Sequence, residues 1–148
     1  NESGNAGWHR DAQYWPFWSH DGLFTAWIAL SDVSPESGPV RFIPGSHLWV
    51  DVKGIDFFDK NIDIQNKRLN AVHPGHKKVN ATLLMGELSV HSSMTYHSSI
   101  ANESQEPRIG MVVHFSTDAA VRIPVQGENA DYLDQCKISS ICPIIFQR

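Results

Sequence analysis

Arg108-Ile109-Gly110-Met111-Val112-Val113-His114-Phe115 alternates without a break. Ile109, Met111, Val113 and Phe115 share one parity, and Arg108, Gly110, Val112 and His114 the other, which is the period of two that a β-strand imposes on its side chains. Other strand-like stretches surround it. Ala81–Met85, Glu87–His91 after Gly86, and Met94–Ser98 read as extended. Leu23–Val33 is rich in strand formers and apolar on both parities, the pattern of a strand covered on both faces. Val40–Ile43 is a short strand stopped by Pro44-Gly45, a pair suited to the centre of a type II turn. Trp8–Phe17 is aromatic-rich and ends at Pro16, and Ile141–Phe146 is a last apolar stretch with the look of an edge strand. Residues 1–7 read as an entry loop, 49–80 as an irregular excursion over the barrel mouth that can carry a short helix, and 116–135 as polar loop; no amphipathic helix of normal length and no internal repeat stands out. Many short strands separated by Gly/Pro turns mean a mainly β sandwich or barrel.

The chain is one domain's worth, 148 residues with a core region at 8–116, the 49–80 excursion and a C-terminal extension at 117–148. With 41% hydrophobic and 19% charged residues it reads as globular rather than disordered. A formal charge of −4 gives no reason to expect nucleic acid, and Lys67-Arg68 and Lys77-Lys78 read as solvated loop. No apolar run reaches the roughly 20 residues of a membrane helix. Cys136 and Cys142 form no disulfide framework or CxxC pair, so a reduced cytoplasmic setting is expected. No signal-peptide pattern is present and the sequence opens on Asn1, as in a processed, trimmed or incomplete product. The triplets at Asn1, Asn80 and Asn102 match the glycosylation pattern but are short enough to arise by chance.

Chemistry concentrates at His9 and Asp11. In an extended segment residues i and i+2 share a face, so an imidazole nitrogen and a carboxylate oxygen project together. Two ligands do not hold a metal, and His97, eleven residues before Arg108, is the natural third. If Ile100–Glu106 is a hairpin connection, His97 and Arg108 lie opposite each other on neighbouring strands, with Cβ atoms about 5 Å apart. The plainer alternative for His9 and Asp11 is a surface hydrogen bond, and for Arg108 a charge guarding a strand edge.

Trp8-His9-Arg10-Asp11 with Tyr14-Trp15-Pro16, then Thr25-Ala26-Trp27-Ile28-Ala29-Leu30, resembles the phytanoyl-CoA dioxygenase family of non-haem iron oxygenases. So do Gly38-Pro39-Val40-Arg41-Phe42-Ile43-Pro44-Gly45-Ser46-His47 and Gly86-Glu87-Leu88-Ser89-Val90-His91 leading to His97-Ser98-Ser99, Asn102 and Arg108. The resemblance covers most of 8–116 and implies a double-stranded β-helix, or jelly roll, here lacking the N-terminal helices and first strand usual in the family. It implies that His9, Asp11 and His97 bind Fe(II) as the catalytic centre. Arg108 would pair with the far carboxylate of 2-oxoglutarate, Ser99 would assist that carboxylate and Trp27 would pack along the cosubstrate. A 2-His-1-carboxylate set leaves metal positions open for oxygen chemistry, and a guanidinium fork suits a carboxylate. The implied reaction hydroxylates a small metabolite with O₂, releasing succinate and CO₂. Asp11 stands where halogenating relatives carry a small residue. Ser98 and Ile100 depart from the smaller residues common in the family and reshape the turn without removing a ligand.

Other candidates have plainer readings. Ser99 is a turn hydroxyl in the alternative reading, and Trp27 is core packing in either case. His73 and His76 have the look of a zinc pair but flank Pro-Gly without further ligands, so loop is the better reading. His91 and His114 read as strand residues near the barrel, and Asn102 as a turn former. Tyr14, Trp15, Phe17 and Trp18 either line a substrate pocket or cap the core. The reading from another class is a non-catalytic jelly-roll module that binds a metal or ligand. Substrate identity and oligomeric state are not encoded in any of these residues.

Overall fold

The computed structural model describes residues 4–16 and 18–146, so Phe17 and the Asn1 triplet lie outside the described residues. Seven strands form: β1 (Ala6–His9), β2 (Leu23–Ala29), β3 (Val40–Phe42), β4 (Val79–Asn80), β5 (Leu88–Ser92), β6 (His97–Ser99) and β7 (Gly110–Ser116). Two helices join them, α1 (Ile62–Val72) and α2 (Glu128–Gln135). One sheet has the order β1-β6-β3-β4 and the other β5-β2-β7, with every pairing antiparallel. The chain changes sheet at every connection except β3 to β4, the winding of a double-stranded β-helix.

Two of the turns follow from their residues. Gly45 has φ 80° and ψ −7°, the second central position of a type II turn, and the Ser46 amide closes it onto the Ile43 carbonyl at 3.2 Å. β1 begins at Ala6 instead of within an aromatic run, because Gly7 lets the 56–59 turn lie against it: the Gly7 amide donates to the Phe57 carbonyl at 2.8 Å, and a Cβ there would sit 2.7 Å from the Asp59 carbonyl oxygen.

The 49–80 excursion is not a lid alone. Its Val52, Ile55, Ile62 and Leu69 join Trp8, Ile43 and Tyr96 in the hydrophobic core behind the four-stranded sheet. Asn61 caps α1 by accepting from the Ile64 amide, and Ile62, Gln65 and Leu69 form its buried stripe. Gln65 is fully buried; its Nε2 donates to the carbonyls of Asp56 and Asp59, while its Oε1 finds no partner among the described residues. The short helix that the excursion was read as able to carry is α1, although a polar residue interrupts its apolar stripe. α2 falls in a segment read as loop.

β2 is covered on one face only. Leu23, Thr25 and Ala29 are buried between the sheets, whereas the opposite parity joins an outer face where Val90, Met111 and Val113 are exposed and Phe24 stacks on Phe115 at 5.6 Å. The alternating apolar face of β7 therefore points away from the barrel. Ala81–Met85 and Ile141–Phe146 form no strand; Leu83 makes only an isolated bridge with Val33. No helix among the described residues is long and apolar enough to cross a membrane.

Candidate metal centre

β1 and β6 pair so that His9 stands directly across from His97, and the two rings lie 4.0 Å apart centre to centre. Asp11 follows at the start of a short 3-10 turn, Asp11–Tyr14. His97 Nε2 is 3.4 Å and His9 Nε2 3.8 Å from Asp11 Oδ1. One ligand atom from each of the three residues lies within 4.8 Å of the other two.

The second nitrogen of each ring explains what this cluster is suited to. His9 Nδ1 is 2.8 Å from the Gly7 carbonyl oxygen, and His97 Nδ1 is 2.9 Å from that of Thr95. A carbonyl oxygen only accepts, so each Nδ1 carries the proton and each Nε2 presents a lone pair inward. Burial, together with the neighbouring His97, pushes the His9 imidazole down to about 4, so it is neutral near pH 7. Burial alone would raise Asp11, but the nearness of His91 and His97 and the Thr25 hydroxyl outweigh it and hold the carboxyl well below the usual range. Two lone pairs and an anion thus converge with no proton between them, an arrangement stabilised by a cation. The donor set fits a divalent transition metal with open positions.

A second layer surrounds Asp11. The Thr25 hydroxyl lies 2.6 Å from Oδ2 and 2.9 Å from His114 Nδ1. His91 Nε2 lies 3.3 Å from the same Oδ2 but is not aligned as a hydrogen bond. Arg10, between the two ligands, is almost fully buried. It donates to the Ser46 and Trp49 carbonyls, pairs with Asp51 and lies over the Tyr96 ring at 4.2 Å. The sequence reading gave none of these four residues a role at the centre. For His114 the signal was available, since the parity that turns Arg108 inward turns His114 inward as well.

Arg108 and His97 are not on neighbouring strands, contrary to the hairpin expectation. Both neighbours of β6 are taken, by β1 and β3, and the chain crosses to the other sheet, where β7 pairs with β2. Arg108 lies over the Trp27 ring at 5.4 Å and is half-buried, which lowers its pKa from the ordinary value. Among the described residues no carboxylate pairs with it. Ser99 lies on β6 two residues from His97, on the same face.

Aromatic residues crowd the same end. Phe57 packs edge-on against His9 at 4.8 Å, and the Tyr14 hydroxyl bonds Asp56 and the Phe57 amide. Trp15 packs against His114 at 4.6 Å, while Trp18 meets Arg122. A cavity of about 590 Å³ is walled by Phe24, Phe42, Val90 and His91, among others; none of His9, Asp11 and His97 lines it. His73 stacks on Trp49 at 3.7 Å and caps α1, and Asn102 organises its own turn by accepting from Ser104.

The sequence model of the phytanoyl-CoA dioxygenase family matches residues 1–110. The peroxisomal phytanoyl-CoA dioxygenases of Bos taurus and Homo sapiens are 21% and 22% identical over 129 residues, 86% of this chain and 38% of theirs. The chain thus spans about two-fifths of the length of these relatives. Among solved structures, the epimerase SnoN in complex with Fe3+, alpha ketoglutarate and nogalamycin RO is 29% identical, with a TM-score of 0.61 over 82% of this chain and 46% of that one. The alpha ketoglutarate-dependent carbocyclase SnoK is 25% identical, with a TM-score of 0.65 over 88% of this chain and 49% of that one. By the match over residues 1–110, the chain belongs to the phytanoyl-CoA dioxygenase family.

Proposed function

We propose that this chain carries the catalytic core of an Fe(II)- and 2-oxoglutarate-dependent oxygenase that hydroxylates a small-molecule metabolite. The observation that carries the reading is the inward convergence of His9 Nε2, His97 Nε2 and Asp11 Oδ1 with both Nδ1 protons tied to carbonyls. When bound, iron and 2-oxoglutarate would supply the oxidising power: O₂ converts the keto acid to succinate and CO₂ and leaves one oxygen for a substrate C–H bond. His9, Asp11 and His97 would hold the metal on one side. Arg108, half-buried and without a carboxylate partner among the described residues, would take the far carboxylate of the keto acid, with Trp27 fixing the guanidinium plane and Ser99 assisting. Tyr14 and Phe57 would shield His9 from water. The similar epimerase SnoN, solved in complex with nogalamycin RO, supports a small-molecule substrate.

The test is succinate formation with Fe(II), 2-oxoglutarate and O₂, against His97→Ala as control. Turnover above that control is expected, with or without a coupled substrate. Arg108→Ala is expected to weaken 2-oxoglutarate binding at least tenfold while leaving metal affinity unchanged; parallel loss of both would make Arg108 structural. The second reading, a binding module without turnover, draws on the exposed outer face of β5, β2 and β7. Metal binding with no succinate would decide for it.

A further inference from the structure

We infer that Thr25 and His114 are positioning residues that restrict Asp11 to one-oxygen ligation; the inference rests on the metal reading above. The carboxylate only accepts, so the Thr25 hydroxyl donates its single proton to Asp11 Oδ2 at 2.6 Å. That leaves Thr25 Oγ1 as the acceptor in its 2.9 Å contact with His114, so His114 is the Nδ1–H tautomer. The resulting chain runs His114 Nδ1–H to Thr25 Oγ1–H to Asp11 Oδ2. Every bond in it has one sense only.

The strand register aligns this chain, although His114 is itself exposed. Thr25 sits on the central strand of its sheet, directly across from His114 on β7 and from His91 on β5. All three side chains lean toward Asp11. Trp15 packs on the His114 ring at 4.6 Å, with the planes 74° apart, and so limits its rotation. The oxygen Thr25 holds is Oδ2; the oxygen nearest both inward imidazole nitrogens is Oδ1. A carboxylate whose second oxygen is committed to a short hydrogen bond presents one ligand atom and not two. Two-oxygen ligation would consume a coordination position that a keto acid or O₂ needs. The three-stranded sheet, which supplies no ligand, would thereby set the number of open positions on the metal.

Co(II) is the probe, because its visible absorption reports coordination number independently of turnover. Thr25→Val keeps the shape and removes the hydroxyl, and Thr25→Ser restores it. Thr25→Val is expected to weaken Co(II) binding about 10- to 100-fold and to alter the intensity of the visible bands, while Thr25→Ser returns both to the original values. His114→Phe keeps the packing on Trp15 but removes the donor, and is expected to shift the spectrum in the same direction by less. It also decides the matter should Thr25→Val fail to fold. Wild-type affinity and spectrum in both Thr25→Val and His114→Phe would overturn the inference. Failure of the unaltered protein to bind Co(II), or binding unaffected by His97→Ala, would instead overturn the metal reading on which it rests.

Discussion

Gly110→Ala should destabilise this protein, although the usual expectation for such a change in a strand is the reverse. Alanine restricts the unfolded chain and stabilises by about 0.4–1 kcal/mol where the native backbone tolerates it, and Gly110 does not lie in the left-handed region. The sign is set by Trp27. A Cβ on Gly110 would sit 2.5 Å from Trp27 Cε2 and 2.6 Å from Cη2, and closer still to Cζ2. Carbon atoms prefer about 3.5–4.0 Å, so the indole must retreat by about 1 Å or more, and a fused ring on the middle strand has no flexible end with which to do so. Overpacking of this kind costs about 1–3 kcal/mol, which in a chain of this size lowers Tm by roughly 2–10 °C. The indole also underlies Arg108, so 2-oxoglutarate affinity should fall in the same variant. Thermal melts of Gly110→Ala, Trp27→Leu and the double variant form a cycle in which Trp27→Leu removes the clash. A coupling of at least about 1 kcal/mol is expected between the two sites. An unchanged Tm in Gly110→Ala, or additive effects in the double variant, would refute the placement of Trp27 against β7.

Acid should destabilise the metal-free protein well above the ordinary carboxylate range. The folded-state pKa of His9 is lowered from 6.5 to about 4, so between those values the unfolded chain binds a proton that the folded one does not. Stability then falls by up to about 1.4 kcal/mol per pH unit, about 3 kcal/mol in all. The depressed Asp11 contributes stability that is lost only at still lower pH, as the carboxylate protonates. Urea midpoints measured in chelator from about pH 7 to about pH 4.5 should decline steadily; a flat profile contradicts the burial of a neutral His9. Arg10→Lys should cost about 2–4 kcal/mol, because an ammonium cannot reach the Ser46 and Trp49 carbonyls and Asp51 together; a midpoint within experimental error of the original contradicts that role.

Local periodicity made some of this legible and hid the rest. The alternation of 108–115 gave a strand and grouped Arg108 with Gly110, Val112 and His114, because a pleat alone dictates which side chains share a face. It did not show which face was inner: the apolar parity, Met111 and Val113, lies on the side of the sheet away from Thr25 and Ala29, and both faces of β7 are largely exposed. α1 was legible only as a short helix without bounds, because Gln65 occupies the position where an apolar residue would complete the stripe; its Nε2 is met by two carbonyls from a loop that only the fold brings near. His97 and Arg108 looked like partners across a hairpin because they flank a polar stretch. The winding of the chain puts them on different sheets instead, and no local signal distinguishes the two. Thr25 carried no signal of its own until Asp11 was placed above it.

The division of labour between the sheets follows from that winding. His9 and His97 are direct register partners on β1 and β6, and Asp11 lies two residues beyond His9, so one sheet carries all three candidate ligands. Thr25, His91, His114 and Trp27 belong to the other sheet, and Arg108 lies just before its strand β7. Changes confined to the three-stranded sheet should therefore alter how many positions on the metal are open and how the keto acid is held, before they abolish metal binding itself. Changes to β1 or β6 should abolish it at once. Charged groups follow the same partition. The carboxylate of Asp11 lies with the two imidazoles and the Arg108 guanidinium with the indole, so a dianionic keto acid lying between a metal and Arg108 would meet positive charge at both ends.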